Sequence, residues 1–450
     1  MNHKCGVVGL QMEQSEASDL AYYSLYALQH RGQESAGIVT YDGFQQHSKK
    51  AMGLVGEVFS KEDLESLKGN AAIGHVRYPT YGSVESESCH PFTVTSKRGS
   101  LALGHNGNLV NTEEIREELE ELGHAFTSDS DTEVMVHEFA KNLLEHGLIE
   151  AAKRTMNRLK GAYSVTMMYN GTVVGIRDPY GIRPLCLGKV RDGYMLASES
   201  VALDVLDGEL VRDVKPGEVV ILRNDGVESY QLFEEKPAHC FFEYVYFSRP
   251  DSNMEDRYVY DARREMGKML YENHGVDTDI VSPVPDSGRS FATGYAEAGG
   301  LEFVESLMKN RYVGRTFIMA TQKARETAVR LKLNAIKSNI EGKTVTLIDD
   351  SIVRGTTSHQ LVKILKEAGA EEVHMRIGSP PIIAPCFLGI DMATKDELIA
   401  NGKEIEEVRE RLDLDTLEYL TIEEVAEAVD LPIDHLCTGC VCNEYPVPIK

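Results

Sequence analysis

Cys5 stands directly before Gly6 and the apolar run VVGL. A thiol attacks as its thiolate, so it needs a base within reach. A terminal residue carries its own: a free α-amine titrates near about 7.7–8.0 and takes the thiol proton directly or through a water. While residues 1–4 (MNHK) precede it, Cys5 has only an amide nitrogen and no such base. The chemistry therefore predicts that residues 1–4 are a propeptide whose removal creates the base. Loss of the initiator Met alone would leave Asn2 in front, so self-cleavage by Cys5 is the simpler route.

Four stretches downstream supply what acyl transfer from a free amino acid requires: QHRGQESAGI (29–38), GHVRYPTYG (74–82), GHNGNL (104–109) and SDTEV (130–134). Arg77 offers a two-pronged partner for an α-carboxylate. Asp131 suits an α-ammonium. The Asn106 side chain and the Gly107 backbone N–H form an oxyanion hole. His30, His75, His90 and His105 read as structural, because a terminal amine already provides the base. Together with CGVVG, these motifs resemble the glutaminase domain of class II, N-terminal-nucleophile amidotransferases. The resemblance implies that Arg31 and Thr80 complete the glutamine site. Arg31 would support the nucleophile's turn, and Thr80 would contact the substrate.

A second chemistry is written in VTLIDDSIVRGTTS (345–358). An apolar strand runs into Asp349-Asp350, and a loop with Ser351, Arg354, Gly355, Thr356 and Thr357 opens a helix. Such a loop presents backbone N–H groups and a positive dipole end to a phosphate. The glycine permits close approach, and the hydroxyls add donors. Two carboxylates suit vicinal ribose hydroxyls, directly or through Mg²⁺. VPDSG (284–288) ends another strand in a small turn suited to a diphosphate, through Asp286, Ser287 and Gly288. Residues 309–337 form a basic island, with Lys309, Arg311, Arg315, Lys323, Arg325, Arg330, Lys332 and Lys337 against Glu326 alone. The island reads as a lid over a polyanion that excludes water. The acid pair, glycine and hydroxyls in this order resemble the phosphoribosyl-diphosphate signature of type I phosphoribosyltransferases. They imply one Mg²⁺ per subunit held by Ser287, Asp349 and Asp350, with Lys332 on the diphosphate.

A glutaminase joined to a phosphoribosyltransferase resembles the glutamine phosphoribosylpyrophosphate amidotransferase family over nearly the whole chain, including CFFEYVYFSRPDS (240–252) and PCFLGIDM (385–392). The resemblance implies that glutamine is hydrolysed at Cys5. Its ammonia then displaces diphosphate from C1 of 5-phosphoribosyl 1-diphosphate, giving 5-phosphoribosylamine in the first step of de novo purine synthesis. It also implies a homotetramer inhibited by purine nucleotides. Two rivals differ in class. Another class II amidotransferase would not need LIDDSIVRGTTS, and a sensor with a dead glutaminase would never expose Cys5.

Cys437 and Cys440 put two soft ligands on one turn, and Cys240 and Cys386 lie far off in sequence. Four thiolates suit a [4Fe–4S] cluster or Zn²⁺, and spacing alone leaves both open. In the family's cluster-bearing branch cysteines occur in these four contexts, which implies [4Fe–4S]. Cys442 could replace Cys440. Cys89 and Cys186 have no partner pattern.

Elements must position these groups. Residues 5–235 read as one α+β domain, and the resemblance implies an N-terminal-nucleophile hydrolase sandwich. Its strands are expected at 5–11, 36–41, 71–78, 100–107 and 218–224, with a hairpin over 163–178 turned by Asn170-Gly171. Helices are expected at 17–29, 112–122 and 132–155. Residues 236–393 repeat strand, loop and helix, which predicts an α/β domain with a parallel sheet, and the resemblance implies that it is a type I phosphoribosyltransferase domain. Residues 394–450 read as an acidic helical region with a Cys-rich tail. The chain of 450 residues has 42% hydrophobic content and a net charge of −24, which argues against nucleic-acid binding. No apolar run is long enough for a membrane span, and no signal peptide is apparent, so the chain reads as cytoplasmic.

Overall fold

The computed structural model describes residues 5–14, 16–78, 86–310, 333–390, 392 and 394–449. Thr80, Lys332 and most of the basic island lie outside the described residues.

Alternating apolar strands build two antiparallel sheets in the first half. One has seven strands, in the order Glu209–Asp213, Cys186–Val190, Gly193–Ala197, Gly6–Gln11, Ala71–Arg77, Ser35–Tyr41 and Gln46–Met52. The other has six, in the order Gly226–Gln231, Glu218–Arg223, Thr172–Arg177, Gly161–Tyr169, Gly99–Leu109 and Phe92–Ser96. A dry layer containing Val7, Ile73, Met168, Val173, Leu196 and Val220 lies between the sheets. Helix Ala17–Ala27 covers the outer face of the first sheet, and helices Asp131–Glu145 and Leu148–Arg158 cover that of the second. The arrangement is the expected α+β sandwich, with Cys5 at the start of a central strand.

The expected hairpin forms, with Asn170 and Gly171 at φ of +48° and +79°. The expected helix over 132–155 does not run through. It breaks at His146 and Gly147, both of them extended, and Gly147 starts the second helix. Glycine's conformational freedom outweighs the helical periodicity there.

The second half holds four parallel strands, in the order Ile280–Pro283, Thr344–Asp349, Glu372–Ile377 and Thr416–Tyr419. Helices Arg289–Gly299 and Thr356–Glu367 follow the first two strands, as expected for crossovers. The fourth strand corrects the all-helical reading of 394–430. It adds to the sheet beside Glu372–Ile377, between helices Ile405–Leu412 and Ile422–Val429. Leu417 and Tyr419 are buried, so pairing and burial decide the conformation of TLEY against its acidic surroundings.

Candidate active site

Two sheets deliver the groups around Cys5. Gly6–Gln11 pairs with Ala71–Arg77, which brings Arg77 and Tyr78 alongside the nucleophile. The thiol lies 3.9 Å from the Tyr78 carbonyl. Burial pushes the Cys5 thiol up, against the lowering effect of that carbonyl contact and of the Arg77 cation. A cavity of about 180 Å³ opens beside it, lined by Cys5, Arg77, His90, Gly107, Asp129 and Asp131 among others. It is smaller than the roughly 300–1,000 Å³ pockets of drug-sized ligands, and it suits a free amino acid.

Arg77 is 4% exposed, and one terminal guanidinium nitrogen has no partner among the described residues. Asn106 is 2% exposed, and its amide nitrogen is likewise unpartnered. A buried donor left unpaired is costly, so both nitrogens are placed for a group that the described residues do not supply. Gly107 sits at φ +146°, and a Cβ there would lie 2.0 Å from the Ala162 carbonyl oxygen. Only glycine lets this N–H turn as it does.

Asp131 opens helix Asp131–Glu145 and accepts the Leu109 N–H at 3.0 Å. Burial pushes its carboxyl up, but His105 at 3.6 Å and the hydrogen bonds hold it below its ordinary value. The His75 and His90 rings pack at a tilt of 43°, with centroids 4.3 Å apart. Burial pushes the His75 imidazole down to about 3 and His90 well down, which favours their neutral forms.

Arg31 does not line the cavity. It is fully buried behind Cys5, and its Nε donates to the Cys5 carbonyl at 3.0 Å. That contact fits the expected support of the Cys5 turn, whereas a direct contact with glutamine finds no counterpart in the cavity lining. The Arg31 charge is matched by Glu199 and Glu243, which sequence reading missed. The signal was a charged residue inside an apolar run, FFEYVYF, which burial forces to find a partner.

The second candidate centre lies at the carboxyl ends of the parallel strands, where open α/β sheets bind ligands. Asp349 ends its strand; Asp349 and Asp350 are buried. Burial and the Asp350 carboxylate push the Asp349 carboxyl well above its ordinary value. Ser351 Oγ donates to Asp350 at 2.6 Å. Gly355 caps helix Thr356–Glu367 at φ +73°, placing Thr356 and Thr357 in its first turn. Arg354 pairs with Glu397 at 2.9 Å. The 284–288 turn packs against this strand end: Val284 N–H donates to the Ile348 carbonyl at 2.8 Å, and a Cβ on Gly288 would lie 2.3 Å from the same oxygen. Asp286 is exposed and pairs with Lys309 at 3.1 Å. Ser287 is half-buried between them. The two loops expected to bind phosphate groups are therefore neighbours.

The four sequence-predicted thiols also converge. Cys240 pairs in register with Cys437 in a short parallel bridge. The Cys440 carbonyl accepts the N–H groups of Ile383 and Ala384, both at 3.0 Å, which brings the tail to Cys386. Cys240, Cys386 and Cys437 all act electrostatically on Cys440, whose thiol burial pushes well up; burial pushes that of Cys240 up to about 12. Cys442 is exposed and turned to the Thr438 carbonyl at 3.3 Å, so it stands outside the group. Cys89 and Cys186 are buried elsewhere. Among the described residues, no group of three or more His, Cys, Asp or Glu closes on a single metal ion. No helix among them is long and apolar enough to cross a membrane.

Comparison with known proteins places both halves together. Residues 80–205 match a family model described as a glutamine amidotransferase domain. The chain is 51% identical to the amidophosphoribosyltransferase of Archaeoglobus fulgidus, covering 99% of this chain and 98% of that one. It is 45% identical to that of Bacillus subtilis, covering 100% and 95%. A solved structure of glutamine phosphoribosylpyrophosphate amidotransferase from B. subtilis, complexed with ADP and GMP, superposes with a TM-score of 0.93 at 44% identity, covering 99% of this chain and 98% of that one.

Proposed function

The chain belongs to the amidophosphoribosyltransferase family, whose reaction is the first step of purine biosynthesis, and on that premise we propose how its residues divide the work. Removal of residues 1–4 frees the Cys5 amine, which takes the thiol proton. The thiolate attacks the side-chain carboxamide of glutamine. The oxyanion that forms is met by Asn106 Nδ2 and the Gly107 N–H, and the carboxamide nitrogen leaves as ammonia. Water then hydrolyses the thioester to glutamate. Arg77 and Asp131 hold the α-carboxylate and α-ammonium, Thr80 adds a contact, and Arg31 fixes the Cys5 carbonyl. The observation that carries this reading is the buried guanidinium nitrogen of Arg77, unpartnered beside the thiol.

The ammonia attacks C1 of 5-phosphoribosyl 1-diphosphate and displaces diphosphate. Asp349 and Asp350 hold the ribose hydroxyls. Ser351, Arg354, Gly355, Thr356 and Thr357 cradle the 5-phosphate, while Asp286, Ser287, Gly288 and Lys332 address the diphosphate. Asp349, Asp350 and Ser287 fit one Mg²⁺ per subunit, because a pair of buried carboxylates calls for a cation. That ion would neutralise charge on the leaving diphosphate. Cys240, Cys386, Cys437 and Cys440 fit a [4Fe–4S] cluster, because the donor set is all sulfur and comes from three segments that the Cys240–Cys437 bridge and the Cys440 carbonyl bring together. The cluster would tie the 240 strand, the 383–389 segment and the tail together. The ADP and GMP of the B. subtilis structure favour purine nucleotides as inhibitors here, acting on a homotetramer. Residues 5–235, 236–393 and 394–450 form the three working parts, in a cytoplasmic enzyme.

The test compares glutamine with ammonium as nitrogen donor for 5-phosphoribosylamine formation. Cys5→Ala is expected to abolish the glutamine-dependent reaction and keep the ammonia-dependent one. Glutamine-dependent turnover by Cys5→Ala would overturn the assignment.

A further inference from the structure

Between the nucleophile and the four thiols lies a buried charge network of which the steps above use Arg31 alone. Glu243 opens a single π-helical turn, Glu243–Phe247, a kind of irregularity that recurs at functional positions. Its carboxylate accepts from both terminal nitrogens of Arg31, at 3.0 and 2.7 Å, and Arg31 in turn holds the Cys5 carbonyl. From the other side Glu243 accepts Arg183 Nη1 at 3.1 Å. Arg183 is 2% exposed. The same Nη1 lies 3.8 Å from Cys240 Sγ, and Nη2 donates to the Leu388 carbonyl at 3.1 Å.

Leu388 belongs to the segment that abuts the oxyanion hole. The Phe387 carbonyl accepts Asn108 Nδ2 at 2.9 Å. Gly389 sits so close to Gly107 that a Cβ would come within 2.8–3.0 Å of its backbone. One guanidinium thus reaches both halves of the glutaminase chemistry. It reaches the Cys5 carbonyl through Glu243 and Arg31, and the Gly107 backbone through residues 387–389. A planar guanidinium holds such partners in fixed directions, which an ammonium cannot.

We propose that Arg183 is a positioning residue for glutamine hydrolysis, setting the nucleophile and the oxyanion hole at one geometry and linking both to Cys240. The proposal rests on the roles of Cys5 and Gly107 given above. A guanidinium that merely filled the core would support both reactions of the enzyme equally. One that sets this geometry is felt in the glutamine reaction alone.

The experiment uses full-length Arg183→Lys and Arg183→Gln protein purified anaerobically. Glutamine-dependent and ammonia-dependent phosphoribosylamine formation are measured on the same samples, with kcat and KM for glutamine. The ratio of glutamine-dependent to ammonia-dependent rate is expected to fall on the order of 10–100-fold through kcat, with little change in KM, as misplacement of reacting groups by about 1 Å would produce. Parallel loss of both activities, or an unchanged ratio, overturns the proposal. Gly389→Ala leaves the buried charges intact and pushes on Gly107 from the other end. It is expected to lower the same ratio, and an unchanged ratio counts against the brace even if the Arg183 variants fail to fold. Absence of ammonia-dependent activity in the unsubstituted enzyme would instead strike at the assigned reaction.

Discussion

At the scale of single residues, the seam between the two halves carries an acid that titrates out of place. Asp213 accepts the Glu255 N–H at 2.8 Å, while Arg177 holds the Glu255 carboxylate at 2.9 Å. Burial, followed by the Glu255 charge, pushes the Asp213 carboxyl up to about 7; Asp256 adds to this, Arg177 opposes it, and His239 faces Glu255. Its folded value lies above the ordinary value of about 3.9, so the folded state binds more protons between those limits. The stability it contributes is fully present below about pH 3.9 and is lost as pH rises to 7, by at most about 1.4 kcal/mol per unit. Asp213→Asn keeps the acceptor and removes the charge. It is therefore expected to raise Tm above that of the unsubstituted protein at pH 8, and by less at pH 5. Equal Tm gaps at the two pH values would refute this account of the seam.

Elements place the groups by a few backbone devices. Gly355 holds a left-handed φ at the start of helix Thr356–Glu367, and a Cβ there would lie 2.2 Å from Ile399 Cδ1. Gly355→Ala is expected to raise KM for phosphoribosyl diphosphate several-fold, at a backbone cost of about 1–3 kcal/mol, and to leave glutamine KM alone. Steady-state kinetics on both substrates decides it. The loop was legible in sequence because strand, acid pair, glycine and hydroxyls are contiguous. The hairpin at 161–177 was legible because Asn-Gly is a local signal. Strand Gln46–Met52, QHSKKAM, was not: as a polar edge strand it carries lysines that discourage further pairing. Thr416–Tyr419 was missed because four residues inside an acidic stretch acquire strand character only from their neighbour. Arg31 was named only through the family resemblance, and its partners Glu199 and Glu243 were not legible, since partners some 170 and 210 residues away leave no local pattern.

Across the whole molecule, four thiols from three segments meet where the halves and the tail join. Cys437→Ser is expected to lose bound iron and its visible absorption, while Cys442→Ser, whose sulfur faces outward, retains both; iron analysis and spectra of anaerobic protein make the comparison. The central claim concerns the other end of the chain. It is the proposal that Cys5 is the nucleophile with its own amine as base, which requires the active enzyme to begin at Cys5. Intact-mass measurement of purified protein, taken with its glutaminase rate, tests this most directly. The predicted result is that activity tracks the fraction of chains lacking residues 1–4. Full glutaminase activity in chains that retain Met1–Lys4 would contradict it.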